Sequence, residues 1–182
     1  MNALTFLITT VFKLYLMVVL LRLWLQFARA DFYNPFSQFI VKATHPILAP
    51  MRRVLPPMGR LDTSSLVLAY LVAIFSWVSL FLLRGAEINP GLTALLAAVT
   101  VLKEAGLLLF WMLLIRAILS WVSQGHNPVE AVLHQLTEPL LSPIRRVLPP
   151  MGGLDFSMLV VLIGMNFLNI LFADLIPFWT QV

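Results

Sequence analysis

Four apolar stretches leave few folds open to this 182-residue chain: about Leu4–Phe27, Leu66–Leu83, Leu92–Val122 and Met158–Ile176. A helix needs roughly 20 mainly apolar residues to cross a bilayer, and each stretch approaches or exceeds that length. Hydrophobic residues make up 60% and charged residues 11%, with a mean hydropathy of +0.94. Soluble domains carry about 25% charged residues, so the chain is neither a soluble globular domain nor a disordered one. It has no cysteine, which excludes disulfides, Cys-bound zinc and thiol chemistry.

No cation precedes Lys13, and the apolar run before Ala28-Arg29-Ala30 is too long for a cleaved leader. The first stretch is therefore expected to stay as a span. The third would be about 46 Å long as a helix, and Lys103 and Glu104 interrupt it. Its expected span is Ala105–Val122, with Leu92–Leu102 a protruding or tilted extension. Of the twelve Lys and Arg, seven fall in the two connections on one side: Arg29, Lys42, Arg52, Arg53, Arg60, Arg145 and Arg146. Only Arg84 and Lys103 fall on the other side, and Lys13, Arg22 and Arg116 lie inside spans. The positive-inside rule then puts both connections in the cytoplasm and both termini outside. The net charge of +4 reads as topology and headgroup contact rather than nucleic-acid binding.

The chain also repeats itself. Thr44–Ser64 returns as Thr137–Ser157, with 15 of 21 positions identical at an offset of 93. Asn34-Pro35 and Asn127-Pro128 share that offset, and Arg22 aligns with Arg116 at 94. Each copy reads as span, interfacial segment, Pro/Arg motif, span. Two spans per copy make an even number, so both copies enter the membrane in the same direction. The expected architecture is all-α. Four transmembrane helices form two parallel two-helix repeats, residues 1–91 and 92–182, with short interfacial helices on the cytoplasmic side. The expected spans are 4–27, 66–83, 105–122 and 158–176.

The duplicated pattern comprises Pro46, Pro50, Arg52, Arg53, Pro56, Pro57, Gly59, Asp62 and Ser64, then Pro139, Pro143, Arg145, Arg146, Pro149, Pro150, Gly152, Asp155 and Ser157. It resembles the signature of the YggT family of bacterial integral membrane proteins, in the two-repeat proteobacterial form, over nearly the whole chain. The resemblance implies a multi-pass bacterial inner-membrane protein; the charge tally makes its termini periplasmic, and no cofactor is expected. The resemblance also implies a part in organising or assembling membrane components, or in osmotic and ion tolerance.

Asn34 and Asn127 are placed to cap helices that begin at Pro35 and Pro128. Phe36, Phe39, Ile40 and Ala43, and in the second copy Val129, Val132, Leu133 and Leu136, recur as one apolar face of a short interfacial helix. Pro46, Pro50, Pro56 and Pro57 bracket a segment expected to hold no more than two helical turns. Gly59 suits a turn, and Asp62 and Asp155 suit the caps of the following spans. Arginine forks hold carboxylate or phosphate bidentately, which lysine does not. Arg52, Arg53, Arg145 and Arg146 are thus expected to pair across the repeats with Asp62 and Asp155 in one cytoplasm-facing cluster, or to hold a lipid phosphate or a partner. Arg22 and Arg116, inside spans, need a partner or the headgroups. Asp31, Asp62 and Asp155 are the candidates. Asn166 and Asn169 read as interhelical hydrogen-bonding groups.

His126 and His134 lack the spacing of a helical metal pair, and His45 aligns with Glu138, so neither a metal site nor a catalytic set is expected. Two functions remain. One is a non-enzymatic scaffold or assembly factor. It recruits inner-membrane proteins, a second copy of the chain or anionic lipids through the duplicated motif. The alternative is a small channel or transporter for ions or osmolytes. The expected spans hold no acidic residue near mid-depth, which favours the scaffold.

Overall fold

The computed structural model describes residues 3–122, 128–148 and 156–182. Among them it is all-helical, in the order α1 (Ala3–Phe27), α2 (Pro35–Val54), α3 (Thr63–Leu83), α4 (Pro90–Val122), α5 (Pro128–Val147) and α6 (Phe156–Leu175). Four helices are long and apolar enough to cross a membrane: Ala3–Phe27, Thr63–Leu83, Pro90–Ser120 and Phe156–Leu175. The chain is a multi-pass membrane protein. A span, an amphipathic helix and a second span follow one another twice.

The amphipathic helices correct the expectation of short pieces broken by proline. Each runs for 20 residues through two prolines, Pro46 and Pro50 in α2, Pro139 and Pro143 in α5. An interior proline removes one backbone hydrogen bond and strains the turn, costing about 3 kcal/mol. Here Pro46 and Pro50 lie on the exposed side, where a freed carbonyl can be solvated. The core-facing stripe of Ser37, Ile40, Thr44 and Leu48 continues past Pro46. That stripe is rotated from the expected one: Phe39 is 63% exposed and Ala43 is exposed too. Thr44 donates its hydroxyl to the Ile40 carbonyl (2.8 Å) and so packs inward without an orphaned polar group. In α5, Val132, Leu133 and Leu136 are buried as expected, and Thr137 and Leu141 extend the stripe. At the start of α2, Asn34 accepts from the Phe36 amide (2.9 Å) with Pro35 as the first helical residue.

The first part of α4 is not a protruding extension. Thr93, Leu96, Ala97 and Val99 are buried. Tyr70 donates to the Ala94 carbonyl (3.1 Å) and Trp77 Nε1 to Thr100 Oγ1 (2.9 Å), tying this part to α3. Alanines and threonines let the helix backbones approach closely. At the centre, α1 packs on α2, α3 and α4, and its Leu16, Val19, Leu20 and Leu25 join Ile40, Leu48, Leu68, Met112 and Leu136 in one core. Helix α6 packs chiefly on α4 and α5 around Leu113, Leu141 and Val161. Its Leu159, Ile163, Phe167 and Ile170 stay exposed, as suits a lipid-facing surface.

Candidate functional site

After α2 the chain passes Pro56 and Pro57 into a tight turn. Met58 and Leu61 exchange backbone hydrogen bonds (3.0 and 3.1 Å), with Gly59 between them at φ +63°. That left-handed conformation is open to glycine without a Cβ clash. Thr63 and Ser64 at the head of α3 then donate back to the carbonyls of Pro56 and Leu55, both at 2.7 Å. The turn carries Asp62 under Arg52. The carboxylate is fully buried and accepts from Arg52 Nη2 and from Ser65 Oγ (2.7 Å). Asp62 stands at the N-cap of α3, where the sequence places it, with its carboxylate turned to Arg52 and Ser65 Oγ. Burial would raise the Asp62 pKa, but hydrogen bonds from Arg52 and Ser65 outweigh it and hold the carboxyl below its ordinary value. Arg52 also donates to Gln26 Oε1 (3.3 Å) and so joins α1, α2 and α3.

The Arg52–Asp62 pair lies within one repeat, not between repeats, because the turn returns the chain onto itself over ten residues. In the second copy Arg145 Nη1 donates to both oxygens of Glu138 (3.2 and 3.1 Å), again inside its own repeat. Asp155, Pro149, Pro150 and Gly152 lie outside the described residues. Arg53, Arg60 and Arg146 are exposed. Beside them Val54 is 80%, Met58 73% and Val147 79% exposed.

The span arginines take different partners from those expected. Arg116, 6% exposed, donates to Thr137 Oγ1 and to the His134 carbonyl (3.4 Å), and stands 3.6 Å from Glu138. His134 Nε2 is 3.8 Å from the same carboxylate. Burial and the nearby Arg116 hold the His134 pKa below its ordinary value, against the pull of Glu138. Arg22, 7% exposed, forms no ion pair with Asp31 or Asp62. It stacks over the Phe32 ring at 5.1 Å.

One pair was not expected at all. Lys13, in α1, meets Glu104, in α4, at 2.8 Å, with Glu104 4% exposed. Glu104 lies near the middle of the apolar helix Pro90–Ser120, whereas the expected spans hold no such acid. The signal was present: at an offset of 94, Lys13 maps to Leu107, one helical turn from Glu104. Lys103 donates to the carbonyls of Trp179 (2.8 Å) and Val182 (2.5 Å). Asn169 accepts from Trp179 Nε1 (2.9 Å) rather than from a neighbouring span, and Asn166 is exposed. Between the repeats, Trp24 Nε1 donates to the Leu136 carbonyl (2.7 Å), Asn34 Nδ2 to that of Pro128 (2.8 Å), and the Asp31 amide to Gln135 Oε1 (2.7 Å).

The CCB3/YggT family model matches this chain twice, over residues 1–83, which cover α1 to α3, and over 95–176, which begin inside α4 and run past α6. The chain belongs to the CCB3/YggT family. Similar family members include an uncharacterized protein in the proC 3' region of Vibrio alginolyticus, 54% identical over the full length of both chains. The uncharacterized protein YggT of Escherichia coli K12 is 49% identical over 97% of this chain and 92% of its own. An uncharacterized Haemophilus influenzae protein is 43% identical over 93% and 91%. No solved structure matches.

Proposed function

We propose that the chain is a non-enzymatic scaffold or assembly factor of the bacterial inner membrane. Its two repeats, dividing near residue 91, run parallel in the bilayer, with α2, α5 and both motifs at the cytoplasmic surface and both termini periplasmic. The distribution of Lys and Arg supports this orientation. A reporter fused after Val182 is expected to behave as periplasmic, and cytoplasmic behaviour would refute the orientation.

The observation that carries the scaffold reading is the state of the motif tips. Arg52 is spent on Asp62, while Arg53 and Arg146 are exposed beside Val54 and Val147. A cation beside an apolar side chain, at the end of each amphipathic helix, suits capture of an acidic membrane-protein segment, a second copy of the chain or an anionic lipid surface. Arg53→Ser with Arg146→Ser should leave insertion intact and abolish co-purification of the parent's partners from native membrane discs. Unchanged co-purification would remove the main support for this reading.

The Lys13–Glu104 pair favours a second reading, passage of ions or osmolytes, since ionisable groups inside spans commonly mark pathways. A liposome flux assay on the same purified sample separates the two. Flux abolished by Glu104→Gln would support the second.

A further inference from the structure

The two span arginines occupy aligned positions, yet their surroundings differ. Arg116 has Thr137 Oγ1, the His134 carbonyl and the Glu138 carboxylate within reach. Thr44 and the aligned Thr137 both donate their hydroxyls one turn back, to the carbonyls of Ile40 and Val41 (2.8 and 3.3 Å) and of Leu133 and His134 (2.7 and 3.4 Å), but of the two it is Thr137 that also accepts from its span arginine. The residue aligned with Glu138 is His45, which is exposed. Arg22 Nε and Nη1 are consequently buried without a hydrogen-bond partner. The charged groups acting on Arg22 are Arg52 and Asp62; Asp62 is bonded to Arg52 and Ser65 through Oδ2, and its Oδ1 is buried without a hydrogen-bond partner. One carboxylate thus serves two guanidiniums. Two guanidiniums and one carboxylate leave this corner with an uncompensated positive charge, which is costly to bury even with Arg22 stacked on Phe32.

Arg22 opens onto a cavity of about 430 Å³, lined also by Gln26, Phe32, Gln38, Val41 and Lys42. That size suits a small ligand. The lining offers the edge of the buried Arg22 guanidinium at the base, an exposed ammonium, the Gln26 carboxamide, the Gln38 carboxamide, which donates to the Tyr33 carbonyl (3.1 Å), and an apolar wall. It sits between the end of α1 and the first turns of α2, where a span gives way to an amphipathic helix.

We propose that this cavity binds a phosphate group, either the phosphodiester headgroup of an anionic phospholipid or free phosphate. Arg22 holds the phosphate oxygens and Lys42 supplies the second charge. The site belongs to the first repeat alone, because Gln38 and Lys42 align with Ala131 and Gln135. In the second repeat Glu138 fills the place that the ligand fills in the first. The inference rests on the membrane orientation proposed above, not on the recruiting role.

The test uses the full chain in neutral detergent, with native mass spectrometry reading retention of phosphatidylglycerol against diacylglycerol of the same acyl chains. Retention of the phospholipid should exceed that of diacylglycerol by about tenfold or more. Arg22→Gln should lose this preference. His45→Glu imports the second repeat's carboxylate at an exposed position. It should lose the preference too while melting like the parent, and it decides the matter if Arg22→Gln does not fold. Arg84→Gln, at an exposed residue away from the cavity, should leave it unchanged. Release of the lipid by inorganic phosphate would identify the phosphate group as the ligand. Resistance to that competitor would assign the intact lipid headgroup. Equal retention of both lipids by the parent, or a parent-like preference in either the Arg22 or the His45 variant that folds, overturns the proposal. Partner capture through Arg53 and Arg146 is read in a separate experiment, so either result stands without the other.

Discussion

The two motif copies differ at six of 21 positions, and among the described residues their charges meet different partners. In the first, Arg52 closes on a buried Asp62 and holds the ends of three helices together. In the second, Glu138 collects Arg145, Arg116 and His134 at a half-exposed position. Position 45 or 138 decides much of this. With glutamate there, the span arginine is satisfied from within the chain; with histidine there, it is not. Among the described residues, the exchange of His45 for Glu138 goes with a different set of ion pairs.

Removing the buried carboxylate should have the largest effect. Asp62→Ala leaves Arg52 uncompensated and should cost about 3 kcal/mol, the low end for breaking a buried pair, because the Arg52 side chain is still 30% exposed. Thermal unfolding in detergent reads the loss, and a variant as stable as the parent would erase the contrast between the repeats. The same pair sets an acid limit. With the folded pKa of Asp62 held below the ordinary 3.8, its contribution is complete above that value. It is lost as pH falls through the folded one. Asp62→Asn should remove that acid-side slope.

Next comes the tie between repeats inside the membrane. Glu104→Gln should cost about 2 kcal/mol in the same assay. Lys13→Leu with Glu104→Leu should recover most of it, since an apolar pair needs no desolvated charge. If the double variant is as weak as the single, Glu104 has a role beyond Lys13. Trp24→Phe removes one hydrogen bond across the repeats, to Leu136, and should cost about 1 kcal/mol.

The smallest effect belongs to His134. Its folded pKa is held below the ordinary 6.5, so the unfolded chain binds the proton first and stability declines as pH falls below about that value. His134→Gln should flatten this shallow slope, which stability curves between pH 5 and 7 (about the range where histidine titrates) would detect.

The spans were legible because an apolar run of sufficient length has one stable answer in lipid. The repeat was legible because Thr44–Ser64 and Thr137–Ser157 nearly coincide. Helix α2 was misread at its far end, since proline terminates helices in water-exposed chains but not where a buried stripe such as Thr44 and Leu48 carries the helix on. Its face differs from the expected one because Ser37, Thr44 and Leu48, rather than Phe39 and Ala43, flank Ile40 on the packed side. The Arg52–Asp62 pair drew on the right residues with the wrong geometry. Nothing in the spacing alone says that the turn at Gly59 folds the motif back on itself. Glu104 was discounted as an interruption of an apolar run, though the repeat offset pointed towards Lys13.

That last pair has a temporal side. Lys13 is translated 91 residues before Glu104, a delay of roughly 5–20 s at ordinary elongation rates. During that interval the nascent first repeat carries an ammonium that the finished protein neutralises, and its stem must reach towards the headgroups. The second repeat therefore acts on the first as a late-arriving counterion, and the final seating of α1 waits on synthesis of α4.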